Sequence, residues 1–216
     1  MSTRIVLVDD HQIVRVGLKS LLARESDFQV VGEAGDGREA LAVIAELTPD
    51  IVIMDIAMPG LNGIDATIRV RAEHPQIRVI VLSMHLERAY IVETLRAGAS
   101  GYLLKERAVD ELVQAIRAVS AGRKYLSPGV TDIVLQGYLE ADIELPDSAF
   151  SKLTEREREV LQYIAEGTTI KEIAELLHLS PKTIETHKGR IMERLNIRTV
   201  AGLTRYAIRH GLTTAD

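Results

Sequence analysis

Polar residues capable of phosphoryl chemistry stand where short apolar segments of the chain end. The set is Asp9 and Asp10 after RIVLV (4–8), Asp55 after DIVIM (50–54), Ser83 at the end of RVIVLS (78–83), and Lys105 after GYLL (101–104). Three carboxylates, a hydroxyl and an ammonium can together bind a divalent cation and transfer a phosphoryl group to an aspartate. Such chemistry requires that these side chains meet at one place in the fold.

Clustering would make the three carboxylates repel one another by ~4 kcal/mol per pair at 4 Å and an effective dielectric near 20. Either their pKa values rise or a cation neutralises them. Oxygen ligands favour a hard ion, and a few carboxylates completed by water suit Mg²⁺ better than Ca²⁺. Taken singly, Asp10 is commonly a helix cap, Ser83 a strand-end hydroxyl and Lys105 a solvated charge. Their occurrence together favours an aspartyl-phosphate site at Asp55.

Alternation of strands and helices is what would gather these residues. Apolar runs rich in Val and Ile recur, and helical spacing such as Val14, Leu18, Leu21 and Leu22 lies between them. This pattern predicts a doubly wound, five-stranded parallel sheet ending near Gly122, with helices on both faces. In open α/β sheets, ligands bind at the carboxyl ends of the strands, where the polar residues stand.

Composition limits the class of protein and suggests two domains. The chain has 216 residues, 46% of them hydrophobic, and no cysteine, which excludes thiolate chemistry. Its apolar runs are too short to span a bilayer, so we expect no membrane association and a cytoplasmic location. Residues 1–150 hold 15 basic and 22 acidic side chains, net −7, and residues 151–216 hold 11 and 9, net +2, which matches the total of −5. An acidic part joined to a mildly basic one predicts different partners.

Residues 3–124 resemble the CheY-like receiver domain of two-component response regulators. The resemblance rests on the acidic pair Asp9–Asp10, MDIAMPGLNG around Asp55, Ser83, and AGASGYLLK leading to Lys105. It implies that a sensor histidine kinase phosphorylates Asp55. It also implies that Mg²⁺ is held by Asp9, Asp10, Asp55 and the backbone carbonyl of Ala57. Tyr102 would then be a switch residue that packs inward when Ser83 moves toward the phosphoryl group, although an aromatic on a half-buried strand is commonly only a packing residue.

Helix-start signals dominate the remainder of the chain. Thr154 and Glu157 form a capping-box pattern, and Ser180 followed by Pro181 predicts another helix start. A helix ending at Gly167, the short helix IKEIAELL, the helix from Pro181 and a last helix over 199–209 predict a four-helix, all-α domain with a helix-turn-helix. Residues 125–150 are the predicted linker, with a short helix over 130–139.

Residues 151–212 resemble the LuxR-type helix-turn-helix of NarL/FixJ-type response regulators, through LTEREREVL, EGTTIKEIAELL and LSPKTIETHKGRIMERLNIRT. The resemblance implies that Thr169 and Lys171 lie near DNA phosphates. It places the following residues at the groove: Lys182, Thr183, Glu185, Thr186, Lys188, Gly189 and Arg190. The alternative for this helix is an ordinary solvated amphipathic face, which mixed charges usually indicate.

The combined reading is a non-enzymatic transcriptional regulator with a receiver over 1–124, a linker over 125–150 and a DNA-binding domain over 151–216. Phosphoryl transfer from the kinase to Asp55 would switch dimerisation and binding to double-stranded DNA, with a homodimer formed on phosphorylation or on DNA. Two alternatives remain open from the residues. A Mg²⁺-dependent phosphohydrolase would show steady multiple turnover, and a metabolite-sensing LuxR-type regulator would incorporate no phosphate.

Overall fold

The computed structural model describes residues 2–139 and 152–213, which belong to two compact units. The N-terminal unit is built from the elements between Thr3 and Leu139, and the C-terminal unit from those between Glu155 and Arg209. Within the described ranges, no helix is long and apolar enough to cross a membrane.

A parallel sheet forms the centre of the N-terminal unit. Its strands are β1 (Thr3–Val8), β2 (Phe28–Ala34), β3 (Ile51–Asp55), β4 (Arg78–Ser83), β5 (Gly101–Leu104) and β6 (Tyr125–Leu126). They pair in the order β2-β1-β3-β4-β5-β6, and every pairing is parallel. The helices of this unit are α1 (Gln12–Leu22), α2 (Gly37–Leu47), α3 (Gly63–Glu73), α4 (Arg88–Arg96), α5 (Ala108–Ser120) and α6 (Pro128–Leu139). The predicted α/β fold class is confirmed.

Burial explains why the central strands read as continuous apolar runs. Every residue of β3 is buried, as are the last four of β1 and the last five of β4. Helices cover both faces of a doubly wound parallel sheet, so side chains on either side of a central strand enter a core. On one side, for example, Ile5, Ile53 and Ile80 pack with Leu112 and Ile116 of α5.

The sheet has six strands where the sequence predicted five. Tyr125 and Leu126, at the start of the predicted linker, pair with Gly101 and Tyr102 of β5. The two-residue strand was missed because it is too short to show a pattern, yet it satisfies backbone groups along the β5 edge that would otherwise lie open. The short helix predicted over 130–139 is α6, which begins at Pro128 and packs against α4. Residues 140–150 of the predicted linker lie outside the described residues.

The C-terminal unit is all-α, as predicted. Its helices are α7 (Glu155–Ala165), α8 (Ile170–Leu176), α9 (Pro181–Leu195) and α10 (Val200–Arg209). Thr154 and Glu157 form the capping box expected at α7, and Ser180 caps α9 with Pro181 in the first turn. The core is made from the inward faces of all four helices, including Val160, Ile173, Ile184 and Leu203.

Candidate functional site

Parallel strand order brings the predicted pocket residues of the N-terminal unit to one edge of the sheet. Asp9 directly follows β1, Asp55 ends β3, Ser83 ends β4, and Lys105 directly follows β5. Asp55 stands opposite Leu82, and Ser83 stands opposite Leu104, so the strands end nearly level. The polar residues at these positions converge because their strands are adjacent in the sheet and end at the same level.

Lys105 joins two carboxylates at this edge. Its Nζ lies 2.7 Å from Asp55 Oδ2, to which it donates a hydrogen bond, and 2.8 Å from Asp9 Oδ2. Only 2% of Asp55 and 1% of Asp9 is exposed, and the Lys105 side chain is mostly buried. Asp55 Oδ1 accepts a hydrogen bond from the backbone N–H of Ile56 at 2.8 Å. The two carboxylates are thus desolvated and held close together by one ammonium.

Burial makes the charged form of Asp55 unfavourable. Desolvation raises the pKa of its carboxyl from 3.8 to about 6, an effect that the charge of Lys105 opposes and that Asp9 and Asp10 increase. For Lys105, burial acts to lower the pKa of the ammonium, but the charge of Asp55 and hydrogen bonds to Asp55 and Asp9 outweigh it and the pKa is raised. Negative charge is therefore in excess in the pocket, which favours binding of a cation.

The acidic residues are arranged so that they could hold such a cation. Ligand atoms of Asp9, Asp10, His11 and Asp55 all lie within 4.8 Å of one another. Asp9 Oδ2 is buried, and its contact with the Lys105 ammonium is the one described for it. Carboxylate oxygens are the ligands that a hard divalent ion prefers. Asp10 is exposed, so an ion bound here could keep some of its water molecules on the solvent side. Ala57, predicted as a ligand through its carbonyl, lies in the turn after β3, two residues beyond Asp55.

His11 was not predicted to take part in the pocket. Its Nδ1 lies 2.7 Å from Asp10 Oδ1 and 3.3 Å from Asp9 Oδ1, and its backbone N–H donates to Asp9 Oδ1 at 2.9 Å. These contacts orient both carboxylates of the acidic pair. The adjacency of His11 to Asp9 and Asp10 in sequence was the available signal, but a histidine beside an oxygen site more often serves packing.

Ser83 and Tyr102 are joined through one loop residue. The backbone N–H of His85 donates to Ser83 Oγ at 3.0 Å, and the carbonyl of His85 accepts from the Tyr102 hydroxyl at 2.8 Å. Tyr102 is fully buried, and this burial is the main reason that the pKa of its hydroxyl is raised. The interaction with Ser83 acts to lower that pKa, and the negative charge of Glu87 acts to raise it further. Tyr102 therefore lies inward in this structure, and its role as a switch residue stays a prediction. The His85 link was not visible in the sequence.

Gly63 permits a close approach behind the pocket. A Cβ at Gly63 would lie 1.8 Å from the backbone oxygen of Asp55, closer than any two such atoms can approach. The glycine therefore allows the start of α3 to pack directly on Asp55. Nothing in the sequence around Gly63 indicated this contact.

The C-terminal unit exposes one face of α9. Ile184 and Ile191, on the inward side of this helix, are fully buried. Five of the predicted DNA contacts are exposed: Lys182, Glu185, Thr186, Gly189 and Arg190. No heavy atom lies within 4 Å of a Cβ placed on Gly189, so that part of the face is flat and open. An exposed helix surface with small residues between charged ones can approach DNA bases closely.

Local hydrogen bonds limit what some of these residues can offer. The Thr186 hydroxyl donates to the carbonyl of Lys182 at 2.9 Å, so its methyl group is the part directed outward. Lys188 is half-buried, and its Nζ lies 3.7 Å from Glu185 Oε2. Thr183 Oγ1 lies 2.8 Å from Ser180 Oγ within the helix cap.

Thr169 and Lys171 begin the preceding helix. Thr169 forms a second capping box with Glu172, in which its hydroxyl lies 2.6 Å from Glu172 Oε2. Its side chain therefore already serves the start of α8, whereas Lys171 is exposed. On the last helix, Leu203 and Ala207 are fully buried in the unit's own core, so these two side chains are not available as a dimer surface.

Two family models match the sequence over the same two regions. Residues 5–117 match the family described as "Response regulator receiver domain", and residues 151–207 match "Bacterial regulatory proteins, luxR family". The two matches occur in chain order, and the first alone covers more than half of the 216 residues.

Proteins similar over nearly the whole length carry names of the same kind. The chain is 41% identical to the transcriptional regulatory protein MctR of Rhizobium johnstonii, over 98% of this chain and 95% of that protein. It is 39% identical to the response regulator GacA of Pseudomonas protegens, over 99% of each. Among solved structures, the chain is similar to RcsB of Salmonella enterica serovar Typhimurium, bound to promoter P1flhDC in the presence of phosphomimetic BeF3−. The TM-score is 0.63 at 28% identity, and the match covers 99% of this chain and 100% of that chain.

Proposed function

Because the chain belongs to the two-component response regulators that join a receiver domain to a LuxR-type DNA-binding domain, and is thus a phosphorylation-controlled transcriptional regulator, we propose that Asp55 is its phosphoacceptor. The donor is the phosphohistidine of a sensor kinase. A carboxylate oxygen of Asp55 forms the new bond to phosphorus while the bond from phosphorus to the donor imidazole breaks.

The bridging position of Lys105 is the observation that carries this proposal. Its Nζ lies within 2.8 Å of both Asp55 and Asp9, in a pocket where the Asp55 carboxyl has a raised pKa. After transfer, Lys105 pairs with a phosphoryl oxygen, and the Ser83 hydroxyl donates to another. Asp9, Asp10, Asp55 and the Ala57 carbonyl hold Mg²⁺, which when bound neutralises charge on the transferring group.

The C-terminal unit contacts DNA through α9 and the start of α8. Lys171, Lys182 and Arg190 are exposed cations suited to phosphates and base edges, and the outward methyl of Thr186 suits a thymine methyl. The similar protein RcsB was solved on promoter DNA, which supports this assignment. Phosphorylation favours a homodimer whose two α9 helices enter major grooves about one helical turn, ~10 bp, or a multiple apart.

Phosphate incorporation tests the proposal. With acetyl phosphate and Mg²⁺, the wild-type chain is expected to take up one phosphoryl group, and Asp55→Asn is expected to take up none. Asp50→Asn is the matched control, since Asp50 precedes the same strand at its opposite end and accepts a hydrogen bond from the backbone N–H of Arg4. Full incorporation by Asp55→Asn would refute the assignment, and steady multiple turnover of a phosphate ester by the wild type would indicate a phosphohydrolase.

DNA selection tests the second half. Sequences selected by the chain with and without the phosphodonor should contain paired half-sites, and the phosphorylated chain should bind them more tightly and as a dimer. A monomer on DNA in both states, seen by sedimentation, would refute the proposed dimerisation.

A further inference from the structure

The start of α6 is held to the N-terminal unit by a buried hydrogen-bond network. Ser127 is fully buried, and its hydroxyl donates to Glu111 Oε2 of α5 at 2.5 Å and accepts from the backbone N–H of Leu104 at 3.3 Å. Its own N–H donates to the Tyr102 carbonyl at 3.0 Å. Ser127 therefore bonds to the backbone of Tyr102 and of Leu104, the residues on either side of Leu103. Leu104 immediately precedes Lys105 in the chain.

The same residue begins α6. Its carbonyl accepts from the N–H groups of Val130 and Thr131, at 2.9 and 3.0 Å, in the first turn of the helix. One residue thus contacts both the strand that ends in the pocket lysine and the helix that leads, in sequence, toward the DNA-binding unit. A shift of the Leu104–Lys105 backbone cannot occur without straining the start of α6, because the buried groups would lose their partners.

A second connection reaches α6 from Ser83. The loop after β4 is bonded at His85 to both Ser83 and Tyr102. The next residue, Leu86, is 41% exposed and lies beside Gly129 in the first turn of α6. A Cβ built on Gly129 would lie 3.7 Å from Leu86 Cδ2, which is ordinary van der Waals contact. The pocket is therefore connected to the first turn of α6 by hydrogen bonds through Ser127, and the loop that follows Ser83 lies next to the same turn.

We propose that the Ser127–Glu111 pair is a positioning device that sets Lys105 in the pocket and couples phosphorylation at Asp55 to α6. The proposal rests on the function proposed above. Coupling between two sites is reciprocal: if occupation of the pocket changes the docking of α6, the docking of α6 changes the affinity of the pocket by the same factor. Ser127 and Glu111 touch no reacting atom and act through Lys105.

Beryllofluoride binding to the full-length chain with Mg²⁺ tests both directions. The first readout is the dissociation constant, and the second is the change in the amide NMR signals of Val130 and Thr131 at saturation. In the wild type, both signals should shift on binding. Ser127→Ala should lower the affinity about fivefold, the effect of one buried hydrogen bond, and should remove most of the response at α6.

Val119→Ala is the control for a general loss of stability. Val119 is fully buried in α5, the helix that carries Glu111, and belongs to the core cluster on one face of the sheet. This variant should unfold at lower temperature yet keep wild-type affinity and the α6 response. Glu111→Gln keeps an acceptor for Ser127 but removes the charge, so it should weaken affinity about twofold, and it carries the test if Ser127→Ala does not fold.

Wild-type affinity together with a wild-type α6 response in Ser127→Ala, or in Glu111→Gln as its substitute, would overturn the coupling. An equal loss in Val119→Ala would also overturn it, because destabilisation alone would then explain the effect. Absence of beryllofluoride binding by the wild type would instead refute the proposed phosphoacceptor site, and the coupling with it.

Discussion

Replacing Asp55 by Asn should stabilise the receiver unit at neutral pH although it removes the reactive group. The Asp55 carboxyl has a pKa of about 6 in the folded chain against 3.8 ordinarily, because it is buried. At about 1.36 kcal/mol per pH unit, this difference corresponds to about 3 kcal/mol by which folding disfavours the ionised form. Asn resembles the neutral acid in shape and charge, so the variant should recover most of that free energy.

The sign of the effect fixes its dependence on pH. Between pH 3.8 and about 6, the folded chain binds a proton at Asp55 more tightly than the unfolded chain, so the wild-type unfolding free energy falls as the pH rises through this window. Above pH 7 the variant should therefore be the more stable by about 2–3 kcal/mol. About one pH unit below 3.8 and lower, the carboxyl is almost entirely neutral in both states, and the two proteins should be alike.

Urea unfolding followed by methyl NMR signals of Ile53 and Ile80 is the suitable assay. These side chains are buried in the central strands of the N-terminal unit, so they report its unfolding separately from that of the C-terminal unit. Saturating Mg²⁺ should stabilise the wild type and reduce the advantage of the variant, because the cation binds the folded chain alone. The reasoning is refuted if Asp55→Asn is the less stable protein at pH 7.5 without Mg²⁺, or if the difference persists about one pH unit below 3.8.

Three further substitutions test other contacts. Gly63→Ala places a methyl group against the Asp55 backbone oxygen. It should lower the free energy of unfolding by about 3 kcal/mol or more and also lower phosphate incorporation. A wild-type unfolding free energy together with wild-type incorporation would contradict this packing. Glu157→Ala removes the capping box and leaves the Arg194 guanidinium, which is 2.6 Å from Glu157 Oε2 and 45% exposed, without this partner. Calorimetry should show a loss of about 1–2 kcal/mol in the C-terminal unit, and a loss under about 0.5 kcal/mol would count against it. Lys188→Ala should weaken binding to all DNA sequences alike and reduce the salt slope by about 1 per site; a changed base preference would show that its head faces the bases.

Features of the pocket that depend on chain order were predictable from the sequence. Each of the four pocket residues ends or directly follows a strand whose apolar character is clear: Asp9, Asp55, Ser83 and Lys105. The rule that parallel strands end at one edge then brings them together. The starts of α7 and α9 were predictable for a similar reason, since capping residues act within four positions of one another.

Contacts between distant residues were not predictable in this way. Ser127 before a proline reads as a helix start, and nothing nearby indicates that its hydroxyl also bonds to Glu111, sixteen residues earlier. The β6 strand has only two residues, too few for a period to appear. The contact of Gly63 with Asp55 depends on the angle at which α3 leaves the loop, which is set by packing and not by local propensity.

The excess negative charge in the pocket suggests how phosphorylation can act as a switch. A cation bound in the pocket would release part of the about 3 kcal/mol by which burial disfavours the ionised Asp55 carboxylate. Shifting a two-state equilibrium from 1:99 to 99:1 takes ~5.5 kcal/mol, and only the part of the release that differs between the two states contributes. Asp55 alone is therefore insufficient. The remainder has to come from contacts made in one state only, and the bonds of His85 to Ser83 and Tyr102 are in a position to change with the pocket.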